Sequence, residues 1–198
     1  MRGGRLFLAL GLALALAGCG GGALVRPMTP RVVADGTLVV TPASAWNRVA
    51  SSALFSQRPY EVWTKDGLSL NDLSYLGGLK DNQTLFRDVQ KRDRPLPRFR
   101  STMLPQEVAE FFESSYRIAG GSPLFTITSV APATFAGQAG FRFTYDFTLY
   151  DDVKRKGVAT GAIVQGRLFL ISYEAPALFY FARDLAEYER VIASARIA

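Results

Sequence analysis

The six residues Leu168-Phe169-Leu170-Ile171-Ser172-Tyr173 constrain the fold more than any other passage. They follow a Gln165-Gly166-Arg167 turn signal and are too few for an ordinary helix, so they read as a strand. Both alternating sets are apolar, which suits a central strand whose sheet is covered on both faces. The preceding residues supply its neighbours. Phe141, Phe143, Tyr145, Phe147 and Leu149 alternate with Arg142, Thr144, Asp146 and Thr148, the period of a half-buried strand. Asp151 to Gly157 turns the chain, Val158 to Val164 runs back, and Phe125 to Val130 alternates ahead of them. The second half therefore predicts an antiparallel meander.

Two helices are predicted to cover it. Leu104 to Ile118 places Leu104, Val108, Phe111, Phe112 and Ile118 on one face and Glu107, Glu110 and Glu113 on the other. Pro105 suits the first helical position, Glu113 can pair with Arg117, and Gly120-Gly121 stops the helix. A second helix is expected to open at Pro176, with Leu178, Phe181, Leu185, Tyr188 and Val191 or Ile192 inward and Arg183, Glu187 and Arg190 outward. In the first half, Val32-Val33-Ala34 and Thr37 to Val40 flank Asp35-Gly36, a favoured hairpin pair. Tyr60 to Thr64 faces Leu68 to Leu70 across Lys65-Asp66-Gly67 as a second hairpin. Trp46 falls in a helical or irregular passage, Gly77-Gly78 reads as a turn within further strand or turn, and residues 80–100 read as a long surface loop. The class is α+β: an antiparallel sheet of about 5–7 strands covered by two main helices.

This order resembles the PsbP-like α/β/α sandwich. The resemblance rests on Trp63 to Gly67 in the hairpins, the helix after Met103-Leu104-Pro105, Phe135 to Phe141 entering a long hairpin, and a closing helix that ends near Ser194 to Ile197. It implies a fold shared by small exported and lipid-anchored proteins that act mostly as assembly or accessory factors, and it carries over no catalytic residue.

The N-terminus is built as an export signal: Arg2 and Arg5, then an unbroken apolar run from Leu6 to Leu16. That run is short of the roughly 20 residues needed to span a bilayer. Leu16-Ala17-Gly18-Cys19 follows and resembles the lipobox of bacterial lipoproteins. The resemblance implies cleavage of residues 1–18 by a dedicated peptidase that recognises Leu16, Ala17 and Gly18, and acyl chains (palmitate-type) on Cys19. A plain secretory signal or a short membrane anchor is the competing reading. Cys19 is the only cysteine, so the exported domain forms no internal disulfide, and lipidation accounts for an otherwise odd thiol. Gly20 stands where aspartate would resemble an inner-membrane retention signal, which favours the outer membrane facing the periplasm. Residues 19–30 read as a lipidated N-terminus and flexible tether reaching roughly 40 Å, and 31–198 as a single domain.

The precursor carries a net charge of +6; loss of Arg2 and Arg5 leaves +4. That is too mild to argue nucleic-acid binding. The chain has no histidine, which removes Ser-His-Asp and Cys-His catalysis and the commonest metal ligand. No cofactor, metal or catalytic residue is expected. Carboxylates remain: Asp151-Asp152 is a solvated turn or a calcium ligand pair, and Asp146 with Glu174 would need to converge for acid–base work. Arg87, Lys91, Arg92, Arg94, Arg98 and Arg100 form a basic run that is an ordinary solvated loop or a contact for anionic lipid, lipopolysaccharide phosphate or an acidic partner. The stripe of Glu107, Glu110 and Glu113 reads as a solvated face, and Trp46 and Trp63 as core or the lining of a groove. The leading expectation is a non-catalytic binding or assembly module held on a membrane beside an envelope protein partner. The alternative is a carrier or sensor of an apolar ligand or lipid, and a carboxylate-dependent enzyme is the remainder.

Overall fold

A computed structural model describes residues 23–50, 60–88, 92–119, 122 and 124–198. Lipobox residues Leu16 to Cys19, Lys91 and Gly120-Gly121 lie outside the described residues. The strands are β1 (Ala23–Val25), β2 (Arg31–Val33), β3 (Leu38–Val40), β4 (Trp46–Arg48), β5 (Tyr60–Thr64), β6 (Asp72–Leu79), β7 (Phe125–Phe135), β8 (Gln138–Thr148), β9 (Lys154–Val164), β10 (Arg167–Pro176) and β11 (Arg196–Ile197). The helices are α1 (Pro105–Ala119) and α2 (Tyr180–Ser194). Eight strands form one antiparallel sheet in the order β1-β4-β5-β6-β10-β9-β8-β7, and β11-β3-β2 form a second, small sheet. The α+β sandwich holds, with more strands than the sequence predicts.

The central strand is β10, flanked by β6 and β9. Its alternate residues divide between two cores. Leu168 and Leu170 join Phe112, Tyr116, Phe125, Phe143 and Tyr145 beneath α1. Phe169, Ile171 and Tyr173 join Trp46, Trp63, Tyr75, Tyr188 and Val191 beneath α2 and the small sheet. The β7–β8 and β9–β10 hairpins close through two-residue turns, Ala136-Gly137 and Gln165-Gly166, with φ of 50° and 77°, and 50° and 73°. Positive φ at both positions matches the turn to the right-handed twist of the strands.

Several expectations change. Ala23–Val25 pairs with β4 and buries Val25, so part of the expected tether is an edge strand, and Trp46 opens β4. Leu68 to Leu70 is loop, and β5 pairs instead with β6. The loop is held by Asn71, whose Oδ1 accepts from Thr64 Oγ1 (2.9 Å), Lys65 N (2.8 Å) and Asp66 N (3.0 Å). Gly77 and Gly78 lie inside β6, where the register against β10 shifts. A Cβ on Gly77 would sit 1.8 Å from Thr37 Oγ1, so the glycine admits the β2–β3 turn against the sheet. Residues 80–100 are not a free loop: Leu85, Phe86, Leu96 and Phe99 are buried against α1, and the 82–83 backbone bonds Phe99 in both directions. Leu104 precedes α1 and is exposed, while Tyr116 joins the buried face. Helix α2 begins at Tyr180, four residues later than expected, and leaves Leu178 in solvent. Glu187 points inward, because its Oε1 accepts the Ala43 and Ser44 amides at 2.8 Å each.

Candidate functional site: the loop-bearing end of the sheet

The side chains that stand out in the described residues gather where β6 begins and β10 ends. One register line there crosses β6, β10, β9 and β8 through Asp72, Glu174, Gly157 and Tyr145. Cross-strand partners share a face, so these residues all present to the α1 side. Gly157 lets Tyr145 lie flat across β9, since a Cβ there would come within 2.1 Å of the ring. The Tyr145 hydroxyl thereby reaches two strands over and donates to Glu174 Oε1 at 2.7 Å. Tyr116 of α1 also favours the charged form of Glu174, and Tyr60 packs against the same core.

Beneath the loops a second network acts as a staple. Arg155 is 4% exposed and grips Asp151 with two nitrogens, at 2.8 and 2.7 Å. Its Nε donates to Ser69 O at 3.3 Å, while Ser69 N donates to the Asp72 carboxylate at 3.0 and 3.2 Å. Loops 65–71 and 149–153 are thus tied to the same floor. The third loop, 177–179, joins through Ala177 N donating to Lys154 O at 2.9 Å. Arg183 of α2 pairs with Asp66 and Asp184 and lies over the rings of Phe179 and Tyr180 at 5.5 and 4.8 Å.

Burial and the facing charge of Glu174 push the Asp72 carboxyl up to about 7, against the opposing Ser69 amide and Arg155. Burial also raises Glu174, although Tyr116, Tyr145 and Arg155 favour its charge. Asp151, by contrast, is held below the ordinary carboxylate range by Arg155. Above this floor the loops expose an apolar rim: Leu178 at 93%, Tyr150 at 86%, Leu124 at 68%, Phe179 at 61%, Leu68 at 45% and Val153 at 39%. Full burial of one such side chain contributes about 1.5–3 kcal/mol, so three or four of them can drive a specific contact.

The residues singled out in the sequence are dispersed. Asp146 and Glu174 do not converge, because Asp146 adjoins Tyr145 on β8 and takes the opposite face. Asp72 is the carboxylate that meets Glu174, a pairing with no local sequence signal, since Gly157 reads as the end of a turn and only the structure places it inside β9. Asp151 is bound by Arg155 and Asp152 is exposed. Trp46 and Trp63 are both 1% exposed core residues, with Trp63 Nε1 donating to Glu61 at 2.7 Å. Of the basic run, Arg87, Arg92, Arg94, Arg98 and Arg100 are exposed, and Arg98 donates to Asn82 O at 2.6 Å. That run leaves from the far end of β6, away from the rim. Glu107 accepts the Leu104 amide at 2.8 Å, and Glu113 pairs with Arg117 at 2.7 Å. Among the described residues, no group of three or more His, Cys, Asp or Glu is arranged to hold a metal, and no helix is long and apolar enough to cross a membrane.

No protein-family model and no curated protein sequence matches the chain. Among solved structures, the solution structure of cyanobacterial PsbP from Synechocystis sp. PCC 6803 aligns with a TM-score of 0.58 and 14% identity, covering 92% of this chain and 99% of that one. A crystal structure from Bacteroides thetaiotaomicron VPI-5482 aligns with a TM-score of 0.51 and 10% identity, over 88% of this chain and 49% of that one. At these identities the likeness speaks to architecture alone, and the architecture of this chain is the PsbP-like α/β/α sandwich.

Proposed function

We propose that the chain is a lipid-anchored lipoprotein of the bacterial cell envelope whose domain works without catalysis, by binding an envelope protein through the apolar rim. The observation that carries the binding role is the rim itself, with Leu178 and Tyr150 at 93% and 86% exposure on loops pinned from below. Rigid loops lose little entropy on docking, which favours a stable contact. Anchoring rests on Leu16-Ala17-Gly18-Cys19, with Cys19 acylated and the domain on the outer membrane facing the periplasm. The carrier reading is less well supported, because the space between α1 and the sheet holds closely packed rings: Phe112 lies 4.6 Å from Tyr116 and 5.2 Å from Phe143, and Phe125 lies 4.8 Å from Tyr145.

Native mass spectrometry of the full-length protein, gently extracted from its own membrane, tests both halves. Cleavage before Cys19 with acyl chains attached, and co-extraction of one protein lost in Leu178→Ser, is the expected result. An uncleaved, unmodified chain would remove the anchor. A retained lipid-sized ligand without a protein partner would put the carrier reading ahead.

A further inference from the structure

Residues 23–33 run antiparallel to 38–48 along their whole length. Val33 faces Leu38 and Arg31 faces Val40 in the small sheet, Met28 N donates to Pro42 O at 2.8 Å, and Val25 faces Trp46 and Ala23 faces Arg48 in the large one. The two sheets are therefore linked by one ribbon that turns at 34–37. Its inner side chains Val25 and Val33 are buried under α2. Its other side is apolar without being covered: Leu24, Met28 and Val32 are 61%, 75% and 64% exposed, with Arg26 exposed between them.

Two features say what covers that side. Strand β1 begins only four residues after Cys19, so the acylated residue and Ala23 lie at most about 14 Å apart. Leu24 and Met28 are thereby confined to the neighbourhood of the anchor. The outer side is also cationic: Arg26 is exposed there, whereas Arg31 shares the inner side with Val25 and Val33 and Arg48 pairs with Glu61 at 3.1 Å. Exposed Arg196 of β11 adds to this charge, pairing in register with Val39, which in turn faces Val32.

We infer that the exposed side of the 23–48 ribbon lies on the membrane surface, with Leu24, Met28 and Val32 entering the headgroup region and Arg26 and Arg196 meeting anionic lipid phosphates. This rests on the anchor proposed above. Shallow apolar insertion and basic contact are the two attractions that hold an amphipathic element at a lipid interface. The anchor then sets orientation as well as location, and the rim with Leu178 stays in the aqueous compartment.

The test uses the acylated full-length protein in vesicles of phosphatidylcholine, with and without phosphatidylglycerol. Because Cys19 carries lipid, Met28→Cys and Leu178→Cys each offer one free thiol for an environment-sensitive fluorophore, and headgroup nitroxide lipids report its depth. The expected result is quenching several-fold stronger at position 28 than at 178, growing with phosphatidylglycerol. Intact mass of the same samples reports acylation separately. An acylated chain whose label at 28 stays in water, or whose label at 178 is quenched as strongly, overturns the docking inference alone. A chain without acyl chains overturns the anchor and this inference with it.

Discussion

The two ends of the sheet are built from opposite materials. At the end where β6 begins and β10 finishes, charges are tied into pairs: Arg155 is bound to Asp151, Arg183 to Asp66 and Asp184, and Lys65 to Asp184 at 2.8 Å, while large apolar side chains face solvent. From the other end, where β6 closes at Leu79, the chain departs into residues 80–100, with Leu85, Phe86, Leu96 and Phe99 turned inward and Arg87, Arg92, Arg94, Arg98 and Arg100 outward. The second arrangement is that of an ordinary solvated surface, and it needs no partner. The first departs from it by leaving large apolar side chains in solvent above a floor of buried polar bonds that is costly to assemble. Such a floor gives precise loops, which a binding surface requires and a solvated surface does not.

The largest effect should come from breaking the floor. In Gly157→Ala the new methyl displaces the Tyr145 ring and its bond to Glu174, at a cost of about 2–4 kcal/mol in urea unfolding. An unchanged midpoint would mean that Tyr145 is not held as described. Next, Leu178→Ser should weaken partner binding by roughly 2 kcal/mol, as for a central apolar anchor, and leave the unfolding midpoint nearly unmoved because the side chain is 93% exposed. A loss of stability equal to the loss of binding would instead make Leu178 structural.

The third prediction concerns pH. Asp72 titrates near 7 in the fold against 3.8 unperturbed, so the folded state holds more protons between those values and stability falls as pH rises through that window. Glu174 shifts in the same direction. Glu187 on the α2 side is the contrast: burial opposes its charge, but Arg190 and the Ser44 and Ala43 amides together hold it below 4.5, so its contribution is lost only in stronger acid. Wild type should therefore lose about 1–2 kcal/mol between pH 5 and pH 8, the full shift being discounted for partial exposure, and Asp72→Asn should flatten that slope. A slope unaltered by the substitution would place the titration elsewhere. The smallest effect belongs to the basic end, where Arg92→Gln with Arg94→Gln should change stability by less than about 0.5 kcal/mol and spare partner binding. A clear loss of binding there would move the contact surface to the arginines.

Much of the sandwich was legible because its strands carry clean periods. Leu168 to Tyr173 named the centre, the alternation of Phe141 to Leu149 named a neighbour, and Pro105 with Glu107 placed the start of α1. What stayed hidden was whatever depends on register between distant segments. Asp72 and Glu174 are opposed only because β6 pairs with β10 across some hundred residues, and nothing local to either reports it. Hydropathy misled in both directions at the surface. Leu68 and Leu178 read as parts of elements because apolar residues usually pack, whereas Glu187 reads as outward because charges usually solvate. Residues 80–100 read as loop because Leu85, Phe86, Leu96 and Phe99, the buried apolar residues among those described there, follow no helical or strand period.

The central claim is that the rim, and not the basic end, meets a protein in the envelope. The most direct measurement is site-specific photo-crosslinking in cells, with the reactive residue at position 178 in one strain and at position 94 in another. The account predicts one reproducible protein adduct from position 178 and none from 94. Adducts from position 94 alone, or none from 178 across growth conditions, would contradict it.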